Sequence, residues 1–177
     1  ARHASGDVLV LHDNDMLVPS NYAAWISERI ALGYQVVNPK RFVFYLSEKH
    51  TNGVLAGTEG IGGLAPEVVV QNLEGGGSVA LTRGAFDSIG GMDESFIGWG
   101  GEDSEFWERA QTLRTWSWGG LPIVHLWHAA QPEKGVSESR AVLQYHQLTA
   151  IDPTERIARL KSSARGCPSG PSLISLV

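Results

Sequence analysis

Four consecutive apolar residues, Val8-Leu9-Val10-Leu11, follow Gly6-Asp7 and run straight into His12-Asp13-Asn14-Asp15. A run this short, rich in branched side chains and fenced by polar residues, predicts a fully buried strand that stops in an acidic turn. Pro19-Ser20 then opens a helix, with Ser20 as N-cap, Tyr22, Trp25, Ile26 and Ile30 on one face, and Gly33 as the stop. Further strands are predicted at 34–37, 42–46, 78–82 and 121–127, a helical turn at 85–89, and helices at 104–113, 137–148 and 153–161. Glycines recur between 51 and 77, at positions 53, 57, 60, 62, 63, 75, 76 and 77, and predict one long flexible connection over a substrate-sized opening. Strands alternating with helices imply an α/β layer architecture with its chemistry at the carboxyl ends of the strands, just after Leu11 and near Trp127.

Length and charge narrow the function classes. The 177 residues suit one domain, and 42% hydrophobic residues with six tryptophans supply enough apolar surface for a core. Fourteen Lys and Arg against 19 Asp and Glu give a net charge of -5, which argues against a phosphate-neutralising nucleic-acid surface. No apolar run approaches the roughly 18 to 20 residues that span a bilayer. The single cysteine, Cys167, excludes an internal disulfide and favours a reducing, cytoplasmic compartment, with any membrane association left to parts outside this chain. Starting at Ala1 with no initiator Met or signal pattern, the chain reads as the continuation of something longer.

Three constellations can carry chemistry. Asp13 and Asp15 lie two apart, so in extended backbone both carboxylates project to one side, as hard oxygen donors for Mg²⁺ or Mn²⁺. The same residues also suit a solvated turn. An EF-hand loop fails: with Asp13 at its first position, the required Gly falls on Val18 and the bidentate Glu on Ala24. The second is Gly98-Trp99-Gly100-Gly101-Glu102-Asp103, at the start of a helix. Six carboxylates lie between Asp93 and Glu108 with no basic residue before Arg109, so mutual repulsion is expected to raise some of their pKa values and make a general base. The flanking glycines would let backbone approach a ligand, and Trp99 would offer a plate to a sugar face. Helix-terminal charges and a core tryptophan are the plainer alternative. The third is His125-Leu126-Trp127-His128, where regular strand alternation forbids both imidazoles on one face, favouring His128 as a metal ligand over His125. His12, beside Asp13, is placed to shape that site, and the other tryptophans read as core or wall residues.

Residues 4–19, Ala-Ser-Gly-Asp-Val-Leu-Val-Leu-His-Asp-Asn-Asp-Met-Leu-Val-Pro, resemble the D-x-D segment of GT-A fold glycosyltransferases. Residues 90–107, Gly-Gly-Met-Asp-Glu-Ser-Phe-Ile-Gly-Trp-Gly-Gly-Glu-Asp-Ser-Glu-Phe-Trp, closely resemble the G-W-G-G-E-D block of β-1,4-galactosyltransferases, bacterial chondroitin polymerases and related family 2 enzymes. With His125–His128 in the place of the metal histidine, the resemblance covers residues 1–130. It implies that Asp15 and His128 bind Mn²⁺ or Mg²⁺, with His125 as second choice and Asp13 on the sugar nucleotide or assisting the metal. Trp99, Gly100 and Gly101 would line the donor and acceptor pocket, Glu102 would bind acceptor hydroxyls, and Asp103 would be the catalytic base. Asp at 103 matches the inverting members, whereas retaining polypeptide N-acetylgalactosaminyltransferases carry Asn there and D-x-H in place of D-x-D.

The resemblance thus implies the carboxyl-terminal portion of an α/β GT-A domain over 1–161, with the nucleotide-binding half largely missing, and a flexible tail at 162–177. The implied reaction is metal-dependent, inverting transfer from a nucleotide-diphosphate sugar to a glycan or other hydroxyl acceptor. A non-catalytic carbohydrate-binding remnant and a nucleotidyltransferase are the alternatives; the latter usually begins with a basic, glycine-rich phosphate loop that this sequence lacks.

Overall fold

The computed structural model describes residues 1, 3–71, 76–130 and 139–163, and the elements alternate irregularly along them. The first half carries β1 (Val8–His12), β2 (Met16–Leu17), α1 (Tyr22–Ala31), β3 (Val36–Val37), β4 (Lys40–Tyr45), α2 (Glu48–Leu55) and β5 (Val68–Gln71). The second carries β6 (Ser78–Thr82), α3 (Arg83–Ser88), α4 (Glu102–Ala110), β7 (Thr115–Trp116), β8 (Leu121–His125), α5 (Arg140–Thr149) and α6 (Pro153–Ser162).

The strands form two four-stranded sheets, ordered β1-β6-β3-β7 and β2-β8-β4-β5. Only β3 with β7 and β4 with β8 run parallel; the other pairs are antiparallel. The architecture is mixed α/β. The main core lies between the first sheet and helices α3 and α4, where Leu9, Val36, Val79, Leu81, Phe86, Ile89, Phe106 and Trp107 pack together. Helix α1 covers the same sheet with Ile26, joined by Trp25, Ile30 and Trp116.

Several expectations are corrected. Strand β1 buries only Leu9 and leaves Val10 exposed, because it ends its sheet and pairs with β6 alone among the described residues. Helix α1 starts after Asn21 rather than Ser20, and no side chain caps it. The glycine-rich connection is not one loop: Ser47 Oγ accepts from the His50 N–H and nucleates α2, while Val68–Gln71 pairs with β4. Trp118 is exposed rather than a core residue, whereas Trp127, also outside the core, lines a surface cavity. Ser162 closes α6 rather than opening a tail; the predicted tail from 164 on, Cys167 included, and the first residues of the 137–148 helix lie outside the described residues.

Candidate active site

Backbone bonds tie the end of β8 to the turn after β1 and to the end of β4. The Leu126 N–H donates to the Asp15 carbonyl (2.8 Å), and the Leu46 N–H donates to that of His125 (3.0 Å). Within the acidic turn, His12 Nε2–H donates to the Met16 carbonyl at 2.9 Å, which leaves Nδ1 to accept from Ser78 Oγ at 3.1 Å. Tyr22 in turn lies 2.6 Å from that hydroxyl. His12 therefore braces the turn that presents Asp13 and Asp15, as its position beside Asp13 suggested.

Asp15, His125 and His128 bring one potential ligand atom each within 4.8 Å of one another. Strand β8 stops at His125, so the alternation rule that set His125 against His128 does not reach residue 128. His128 Nδ1 lies 2.8 Å from the Ala129 carbonyl and must carry a hydrogen to bond there. In the neutral ring the bare Nε2 then faces Asp15 Oδ2 at 3.0 Å, so two lone pairs oppose each other until a proton or a cation stands between them. His125 Nε2 lies 3.6 Å from the same oxygen. Asp15 Oδ1 and His125 Nδ1 are buried without a hydrogen-bond partner, a cost of about 1–3 kcal/mol each in an ordinary interior. One carboxylate and two imidazoles converging on Asp15 Oδ2 are a donor set that fits a divalent cation such as Mn²⁺.

These residues line one wall of a cleft of about 420 Å³, whose other walls are Asp13, Met16, Tyr45, Gly76, Gly77, Trp99, Glu102 and Asp103. Asp103 is pushed up to about 6, first by burial, then by the charges of Glu102 and Asp13, with Lys40 and a hydrogen bond from the Gly77 backbone acting the other way. Lys40 is wholly buried, and its Nζ donates to Asn38 Oδ1 and the Ser78 carbonyl, each at 3.1 Å. Glu102 accepts from the Gly100 N–H at 2.9 Å.

The expected cluster of repelling carboxylates is divided. Arg109 holds both oxygens of buried Glu105, at 2.7 and 3.0 Å from Nε, and Arg156 lies 2.5 Å from Glu108. Asp93 accepts from the Ser95 N–H. Only Glu102 and Asp103 turn to the cleft. Gly100 and Gly101 have positive φ (112° and 89°), and a Cβ there would meet Val142 at 2.8 Å and Tyr145 at 2.5 Å. The close approach these glycines permit is to α5 rather than to the cleft.

Residues 70–115 match the family model described as the N-terminal domain of galactosyltransferase. The match supports a galactosyltransferase-like glycosyltransferase. It takes in the whole of β6 together with Trp99, Gly100, Gly101, Glu102 and Asp103. No curated protein matches the chain at a significant level.

Sequence reasoning missed Tyr45, Thr51 and the Gly76-Gly77 pair. Tyr45 stacks on His125 at 4.5 Å between ring centroids, and its phenol is pushed up by burial and then by Asp15 and Asp13. Its place follows from the fold, in which β4 and β8 are neighbouring parallel strands and residue 45 pairs with residue 125. Thr51 Oγ1 accepts from the Trp127 N–H at 2.8 Å, so α2 props the turn that carries His128. At Gly76 a Cβ would lie 3.0 Å from Asp103 Oδ2: that glycine makes room for the carboxylate.

Proposed function

We propose that this chain carries the carboxyl-terminal part of a metal-dependent, inverting GT-A glycosyltransferase domain, which moves a sugar from a nucleotide-diphosphate donor to an acceptor hydroxyl. The observation that carries the reading is one cleft shared by the Asp15–His125–His128 cluster and a carboxylate whose pKa is raised to about 6.

Asp15, His125 and His128 would hold Mn²⁺ or Mg²⁺, with Asp13 beside them toward the donor. When bound, the cation supplies positive charge against a diphosphate leaving group. Asp103 is ionised at neutral pH yet more basic than an ordinary aspartate, and takes the proton of the acceptor hydroxyl. The acceptor oxygen forms its bond to the anomeric carbon from the face opposite the diphosphate, and the carbon–oxygen bond to the donor breaks with its electron pair leaving on the diphosphate. Glu102 offers a carboxylate to acceptor hydroxyls, and half-exposed Trp99 offers an indole face to a sugar ring.

The test is release of nucleoside diphosphate from a panel of nucleotide-sugar donors, with Mn²⁺ and acceptor glycans. Asp103→Asn should lower turnover by about 10²–10⁴-fold while leaving metal-dependent donor binding intact. Unchanged turnover in that variant would remove Asp103 from the base role.

A further inference from the structure

A second cavity, of about 340 Å³, shares Tyr45, His125 and His128 with the cleft. Its remaining walls are chiefly apolar: Leu46, Val68, Val70 and Trp127, with Glu67 as the carboxylate at its edge. Val68 and Val70 are two apart on β5 and so project to one face, where they remain exposed at 53% and 40%. The register runs Val68 to Tyr45 to His125 across three neighbouring strands, so one row of side chains leads from this slot into the cleft.

We infer that this slot binds an apolar group carried by the acceptor, an alkyl or aryl aglycone, next to the hydroxyl that is glycosylated. The inference rests on the glycosyl-transfer reading and adds a substrate class to it. Among the described residues no lysine or arginine lines the slot, and Glu67 at its edge would repel a phosphate. A bare sugar is disfavoured too, since its hydroxyls would lose water against valine walls without hydrogen-bond partners. An alkyl chain loses nothing there and removes the two valines and Trp127 from water.

The experiment compares methyl and hexyl β-glycosides of glucose, galactose and N-acetylglucosamine, by calorimetry on the intact protein with Mn²⁺. For at least one sugar the hexyl form should bind about tenfold or more tighter than the methyl form. Val68→Ser with Val70→Ser should erase that advantage and leave methyl-glycoside binding unchanged; both sites are exposed on a strand at the sheet's end, so the fold tolerates them. Equal binding of the two forms, no hexyl binding at all, or an advantage that survives the double substitution would overturn the inference. Displacement of the hexyl glycoside by free uridine would also overturn it, reassigning the slot to the donor's base. Donor turnover that ignores the aglycone sinks the slot alone, whereas hexyl binding through the valines with no turnover of any donor sinks the transferase reading.

Discussion

Asp103 owes its chemistry to neighbours from four separate segments of the chain. Burial and the flanking charges of Glu102 and Asp13 raise its pKa, while Lys40 and the Gly77 backbone restrain the rise. Transfer should therefore lose activity as pH falls through about 6. In Glu102→Gln, which removes the second-largest cause, the acid limb of kcat/KM should move to lower pH; a limb that stays in place would exclude that coupling. The linkage also has a sign. Since the folded value lies above the unfolded one, the protonated form is favoured by folding, and that contribution fades as pH rises from about 4 through about 6. Asp103→Asn should accordingly match or exceed the parent Tm at pH 7 and show no gain at pH 4, as measured by thermal unfolding. The acids at 13, 15 and 103 were legible in the sequence because each sits at an element's end, where side chains face an opening. His125 was ranked second to His128 because strand alternation was applied across both, whereas β8 ends at His125.

At the scale of elements, α2 is the least expected and the most consequential for the cleft. Gly53 inside it, with further glycines after it, made 51–77 read as open loop. Yet Ser47 caps the helix, and the Glu59 side chain fills the space that a Cβ at Gly53 would enter. Thr51 on this helix, buried at 3%, receives the Trp127 N–H and so fixes the turn leading to His128. Thr51→Val keeps the shape and removes the acceptor. It should weaken Mn²⁺ binding by about 10–100-fold, the range for partners that orient a metal ligand, with a stability loss of about 1–3 kcal/mol from the unpaired N–H. Calorimetric titration and urea unfolding read the two effects separately. Strand β6 and helix α4 were read within a few residues, since their apolar spacing is regular and glycines fence both. Strand β5 was hidden because Val68-Val69-Val70 stands at the end of the glycine-rich stretch and stays exposed on both faces. Composition there carries no alternation to read.

Across the whole molecule, a buried ionic network joins the layers behind the cleft. Arg109 is wholly buried; beyond Glu105 it donates to the carbonyls of Ile89 (2.6 Å) and Gly91 (2.7 Å), where α3 ends in a glycine break. Arg156 on α6 reaches both Glu105 and Glu108, and Tyr145 on α5 donates to Glu108 at 2.6 Å. Arg109→Met leaves the buried Glu105 carboxylate with only the longer 3.4 Å contact to Arg156 and should cost about 3–5 kcal/mol in denaturant unfolding. A loss below about 1 kcal/mol, the scale of an exposed ion pair, would show that the network adds little. No sequence pattern announced it, because Arg156 lies 51 residues beyond Glu105 and meets it only in the folded chain.

The proposed convergence of Asp15, His125 and His128 on one cation is tested most directly by pulsed paramagnetic resonance of Mn²⁺ added to the protein, which reads coupling to imidazole nitrogen. The wild type should bind Mn²⁺ with two coupled imidazoles, His125→Ala and His128→Ala should each retain one, and Asp15→Asn should lose tight binding. Mn²⁺ that binds without nitrogen coupling, or with coupling unchanged in both histidine variants, would contradict the account.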